Sequence, residues 1–142
     1  MPKPRRYRAI DHTADLGLQV WGRTLPELYV HAAEGMCALL FDLPAVEPRQ
    51  ERFISAAGYD REEVLVDWLR ELLYLAEAEE FLPCRFEVLE LDETHLRARV
   101  DGEPFDPDRH GWRSGIKAAT YHDLHIVQTP GEGWMVQIIF DT

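Results

Sequence analysis

Long apolar runs are missing from this sequence: no stretch approaches the ~20 residues that a membrane-spanning helix needs. Cysteine is scarce as well. The two present, Cys37 and Cys84, are too few and too isolated for a disulfide framework or a thiolate metal site. Cys37, next to Met36 in a helical pattern, is expected to fill core space. Positive charge is also short, with 15 Lys and Arg against 26 Asp and Glu and a formal net charge of -11. Four of those cations (Lys3, Arg5, Arg6 and Arg8) crowd the first eight positions, so the remainder is more acidic than the total suggests. Such a chain repels phosphate backbones at long range. Little or no direct nucleic-acid binding is expected, a local patch around Arg109, Arg113 and Lys117 being the one place for it. The basic opening runs into Tyr7-Arg8-Ala9-Ile10 and Asp11 rather than an apolar stretch, so no secretory signal is expected. These absences imply a soluble, cytoplasmic protein with no membrane role, suited to cations or to a basic surface on another protein.

What is present is one domain's worth of apolar material. At 142 residues and 46% hydrophobic content the chain can bury a single substantial core, and residues 1–142 show no repeat or linker that would divide it. Two helices stand out. Thr24-Leu25-Pro26-Glu27 is a capping box with proline in the first turn. Leu25, Leu28, Tyr29, Ala32, Met36, Leu39 and Leu40 then recur at helical spacing until Leu43-Pro44. Asp60-Arg61-Glu62-Glu63 opens the second helix. Its pairs Val64/Leu65, Trp68/Leu69 and Leu72/Leu73, followed by Ala76, make a buried stripe that leaves Arg70, Glu71 and Glu77 to solvent. Asp67 reads as part of the solvent side unless it pairs with a neighbour.

The rest reads as strands. Leu16, Leu18 and Val20 alternate with Gly17, Gln19 and Trp21, and residues 52–55 form a short candidate. Residues 86–91 and 96–100 flank the polar turn Asp92-Glu93-Thr94-His95 as a hairpin, and residues 124–127 and 134–140 flank Pro130-Gly131-Glu132-Gly133 as a second. Strands segregated from helices imply an α+β fold, a single compact domain of mostly antiparallel sheet with two amphipathic helices packed on it.

Asp11-His12-Thr13-Ala14-Asp15 gathers two carboxylates, an imidazole and a hydroxyl between two expected strands. One reading is a turn whose Asp and Thr side chains satisfy local backbone groups. The other is a hard-cation site, since carboxylates and carbonyls are the ligands that Ca²⁺ and Mg²⁺ prefer. The end of the sequence, Phe140-Asp141-Thr142, offers further oxygens directly after a strand-like run. If the last strand lies beside the first, Asp11, Asp141 and Thr142 would converge, and such anionic groups repel one another strongly without a cation. Alternatively, the end simply frays into water. On the residues alone the turn and the fraying end weigh more. His110, His122 and His125 lack the spacing of a helical zinc site, and the turn Gly102-Glu103-Pro104-Phe105-Asp106 is expected to bury its phenylalanine.

Five blocks in order resemble the archease family: Asp11-His12-Thr13-Ala14-Asp15 with Leu16-Gly17; Val66-Asp67-Trp68-Leu69 with Glu71-Leu72-Leu73-Tyr74-Leu75; Gly102-Glu103-Pro104-Phe105-Asp106 with His110; Lys117-Ala118-Ala119-Thr120-Tyr121-His122; and Ile139-Phe140-Asp141. They span the chain from about residue 7 onward. The resemblance implies an accessory protein rather than an enzyme. Archeases are partners of the tRNA-splicing RNA ligase that promote its guanylylation and multiple turnover and broaden its use of nucleoside triphosphates. It also implies a bound divalent cation, calcium first and magnesium or manganese as alternatives, with ligands mapping onto Asp11, Asp141 and Thr142. The activating lysine of the family maps onto Lys117, and His12 and Asp15 would stand behind the ligands. The rival expectation is a stand-alone metal-dependent hydrolase using Asp11, His12 and Asp15. Against it, the sequence shows no nucleophile elbow and no phosphate-cradling glycine loop.

Overall fold

The computed structural model describes residues 6–12, 15–113, 115–120 and 124–142. Both helices start where their sequence signatures require. The Thr24 hydroxyl accepts from Glu27 N–H at 3.2 Å to open α1 (Leu25–Leu40), and the Asp60 carboxylate accepts from Glu63 N–H at 2.8 Å to open α2 (Arg61–Glu77). The Glu27 carboxylate lies 3.9 Å from His31 Nε2, a partner one turn along the helix.

The strands are β1 (Tyr7–His12), β2 (Asp15–Gly22), β3 (Gln50–Ala57), β4 (Phe81–Leu91), β5 (His95–Pro104), β6 (Ala118–Thr120), β7 (Val127–Thr129) and β8 (Gly133–Asp141). They form two sheets in which every described pairing is antiparallel. One has the order β1-β2-β8-β6, with β7 also paired to β8, and the other has the order β3-β5-β4. The expected α+β class, with two helices on antiparallel sheet, is what the structure shows.

Each helix packs against strands of both sheets, α1 on β2 and β4, and α2 on β3, β4 and β6. This explains why α2 buries more than its expected stripe: Val66 and Leu75 are covered along with Leu65, Trp68, Leu69 and Leu72. A helix with a sheet on either side needs a wide apolar face. Close approach demands small residues at the crossings. A Cβ on Gly35 of α1 would sit 2.6 Å from Leu18 Cδ2 of β2, and one on Gly102 of β5 would run into the Leu82 carbonyl of β4.

Two buried polar contacts tie α1 to α2. The Trp68 indole N–H donates to the Tyr29 carbonyl at 3.0 Å, and the Tyr29 hydroxyl donates to the Arg61 carbonyl at 2.7 Å. Asp67 also has a partner, accepting from Ala57 N–H at 2.9 Å, so it covers an unpaired donor on the edge strand β3. Other expectations shift. Strand β3 is longer than residues 52–55, and β7 begins at Val127 while Leu124 enters the core. The turn sets that register: Gly131 and Gly133 take φ of 80° and 95°, and Glu132 N–H donates to the Thr129 carbonyl at 2.9 Å. No helix among the described residues is long and apolar enough to cross a membrane.

Replacing Trp68 by phenylalanine should keep most of the packing but remove the indole's bond to the Tyr29 carbonyl, at a cost of about 0.5–1.5 kcal/mol. Urea unfolding of Trp68→Phe measures this, and an unchanged midpoint would mean the α1–α2 bond contributes nothing.

Candidate functional site

The candidate residues are brought together by strand register at one end of the larger sheet. Asp11 is opposite Leu16, Leu16 is opposite Phe140, and Phe140 is opposite Ala119. One step further, His12 is opposite Asp15, and Asp141 is opposite Ala118. Strand β8 therefore lies beside β2, and β1, which carries Asp11, is one strand beyond. At ~4.8 Å per strand, the β1 and β8 backbones are about 10 Å apart. The register puts His12 and Asp15 in the row of Asp141, and Asp11 in the neighbouring row. The side chains of Asp11, His12 and Asp15, and all of Thr13 and Ala14, lie outside the described residues, as do Ser114 and the block's Tyr121 and His122 with Asp123.

Lys117 is fixed at the same end. Its backbone N–H donates to the Asp141 carbonyl at 2.7 Å, and its flanking residues Ile116 and Ala119 are buried. The Thr120 hydroxyl donates to the Ile139 carbonyl at 3.0 Å and holds the short β6 against β8. The Lys117 side chain is exposed, as are Asp141 and Thr142.

Of the three cations considered as a local patch, two are committed elsewhere. Arg109 reaches Glu103 Oε2 at 2.9 Å and the Ala45 carbonyl at 3.3 Å. Arg113 donates to the Ala38 carbonyl at 2.8 Å, and its backbone N–H donates to the Leu40 carbonyl at 2.7 Å, so it satisfies the end of α1. Lys117 makes no ion pair among the described residues, and it is one of two lysines in the chain. An ammonium at that place is a compact point charge open to a phosphate oxygen.

The segment that leads to Lys117 is anchored by a polar cluster within the block Gly102-Glu103-Pro104-Phe105-Asp106 with His110, whose mutual contacts the motif pattern does not give. Glu103 and His110 are both buried. Asp106 N–H donates to His110 Nδ1 at 2.8 Å, which makes Nε2 the protonated nitrogen and the donor to Glu103 Oε2 at 3.1 Å. Glu103 also accepts from Glu47 N–H at 2.7 Å and from Arg109. These donors, the Glu47 amide foremost, hold its carboxyl well below the usual range, from 4.5 down to about 2. Asp106 closes the turn by accepting from Asp108 N–H at 3.0 Å. Phe105, expected to be buried, is only half-buried, against Trp112 and His110.

A cavity of about 650 Å³ opens elsewhere, between α2 and the β4–β5 turn. Its carboxylates are already used: Asp67 holds Ala57 N–H, Asp92 accepts from Thr94 and His95, and Glu90 pairs with Arg97 at 3.1 Å. It offers little unspent chemistry.

Comparison with known proteins places the chain in context. The model of the Archease protein family (MTH1598/TM1083) matches residues 7–142. A protein archease of Methanopyrus kandleri is 39% identical over 138 residues, covering 95% of this chain and 98% of that one. A protein archease of Methanosarcina mazei is 36% identical over 141 residues, covering 96% of each. Among solved structures, Methanobacterium thermoautotrophicum protein 1598 superposes with a TM-score of 0.78 at 30% identity, covering 96% of this chain and 98% of that chain. A Thermotoga maritima protein described as an archease and possible chaperone superposes at 0.65 with 21% identity, covering 100% and 98%. The second likeness concerns the fold.

The depressed Glu103 pKa carries a sign. Its folded-state value lies below the unfolded one, so its contribution is complete above pH 4.5 and is lost as pH falls toward 2. Thermal melts of the Glu103→Gln variant should therefore lose less stability across that window than the parent. Parallel losses in the two proteins would count against the cluster.

Proposed function

This chain belongs to the archease family, and from that premise we propose that it is an accessory activator of the tRNA-splicing RNA ligase, promoting guanylylation and multiple turnover. The observation that carries the reading is the register that gathers the end of β1, the end of β8 and Lys117 in one place. The Thermotoga relative's description as a possible chaperone agrees with an accessory role.

In this reading Asp141 and Thr142 hold a divalent cation with Asp11 of the neighbouring row, as the family resemblance has it, or with Asp15, which the register puts level with Asp141 and so on the same face. Their oxygen donors suit calcium, and also magnesium and manganese, which share the preference for carboxylate and carbonyl ligands. The cation would supply positive charge to neutralise the gathered carboxylates and to attract phosphate oxygens. The chain's own residues do the rest. The bond from Lys117 N–H to Asp141 fixes where the lysine leaves the sheet. Its ammonium then meets triphosphate or guanylate oxygens at the ligase entrance as a point charge. His12, in the row of Asp141, orients the cation's ligands, as does Asp15 where Asp11 is the ligand. The acidic surface, at -11 overall, steers the protein toward a basic partner rather than toward RNA.

The test starts from pre-guanylylated ligase and follows multiple turnover with added wild-type protein. Lys117→Ala should reduce stimulation about tenfold or more, the cost of losing a charged hydrogen bond. Asp11→Ala and Asp141→Asn should do the same and, unlike Lys117→Ala, should weaken Ca²⁺ binding measured by calorimetry. Full stimulation by both Asp11→Ala and Lys117→Ala would sink the proposal. Turnover of phosphoesters by the purified chain with Mg²⁺, Mn²⁺ or Ca²⁺ and no ligase would favour a hydrolase instead.

A further inference from the structure

A second concavity, of about 260 Å³, opens where α2 ends and the segment after β5 passes by, lined by Ala76, Glu77, Glu80, Phe105 and Trp112. Its walls are two aromatic rings. Phe105 and Trp112 meet edge to face with centroids 6.1 Å apart and planes at 71°. Both are half-buried, so each keeps surface to offer. The corner is braced from behind. Phe41 stacks on Trp112 at 6.3 Å, and Phe105 N–H donates to the Glu80 carbonyl at 2.7 Å.

The rim is acidic. Glu77 and Glu80 are exposed, and neither carboxylate has a hydrogen-bond or ion-pair partner among the described residues. That separates this concavity from the larger one, where the carboxylates are already engaged. A ligand filling an aromatic corner between two free carboxylates has its chemistry dictated. An anion is repelled, and a neutral apolar group would desolvate the carboxylates with nothing in return. An organic cation suits both the aromatic walls and the acidic rim.

The protein makes this pairing twice within itself. The Arg52 guanidinium lies 4.4 Å from the Phe81 ring centroid, and that of Arg61 lies 5.4 Å from Trp134. We propose that the Phe105–Trp112 corner takes up an arginine side chain presented by a partner protein. A guanidinium stacks flat on an aromatic face while its fork of N–H donors reaches carboxylates, whereas an ammonium is more strongly hydrated and lacks the fork. The volume suits one side chain, and an open rim on a surface of net charge -11 favours a basic protein over a free ion. The pocket shares no residue with the Lys117 end of the sheet, so it stands or falls separately from the function proposed above.

The experiment titrates the full-length, ¹⁵N-labelled protein with a capped pentapeptide carrying one arginine among glycines. Its citrulline twin and tetramethylammonium chloride form the comparison arms, and the readout is the Trp112 indole N–H signal, assigned with Trp112→Leu. The arginine peptide should shift that signal saturably and the citrulline peptide should leave it in place. Glu77→Gln and Glu80→Gln, at exposed positions, should each weaken the arginine peptide about threefold or more. If Trp112→Leu fails to fold, the indole signal is assigned through its NOEs to Phe41 and Phe105, and these two variants carry the test. An equal response to citrulline, saturation by tetramethylammonium without a response to the arginine peptide, or undiminished binding in both glutamine variants would overturn the proposal.

Discussion

β8 pairs with β2 over seven registered positions on one side and with β6 and β7 on the other. Main-chain hydrogen bonding on both sides gives this strand little freedom to slip, because a one-residue shift would turn Val136, Ile138 and Phe140 out of the core. The same register sets the position of Asp141 opposite Ala118, and of Lys117 through its bond to the Asp141 carbonyl. It also fixes how far β1 lies from the chain's last residues. The candidate site is thus a by-product of core packing, in which apolar alternation along β8 positions polar groups at its end.

The helices were legible in the sequence because their signals are local. Thr24, Asp60 and the apolar spacing of each helix act over a few residues, and the structure repeats them. The hairpin around Asp92-Glu93-Thr94-His95 was legible for the same reason. What local signals do not carry is strand order. Ala118-Ala119-Thr120 has no alternation to announce a strand, and it becomes β6 because β8 presents an edge there. The split into two sheets likewise follows from both helices needing cover on two sides. At the site, Asp11, Asp141 and Lys117 were named from the resemblance to the family, but the row that joins His12, Asp15 and Asp141 is visible only once β2 is known to lie between β1 and β8. Glu103 belongs to a motif block, but its burial is not legible there, because its partners Arg109, His110 and the Glu47 amide come together only in the fold.

The distribution of charge also narrows what the molecule can offer a partner. Several of its few cations are engaged at the surface as fasteners. Arg6 joins Glu34 at 2.8 Å, Arg109 neutralises a buried carboxylate, and Arg113 finishes a helix. Lys117 is left facing out at the end of the sheet, its N–H bonded to the Asp141 carbonyl. Under the proposed function, that exposed lysine on an acidic protein would meet a partner that brings phosphate and basic side chains together, as a nucleotide-charged ligase does.

The proposed cation would sit between the ends of β1 and β8, beside Lys117. Substoichiometric Mn²⁺ added to ¹⁵N-labelled protein reports it most directly, because a bound paramagnetic ion erases nearby amide signals first. Early loss at Asp11, Leu16, Phe140, Asp141, Thr142 and Lys117 is the predicted outcome. Loss centred instead on Asp67, Asp92 and His95, with the β8 end untouched, would contradict the account.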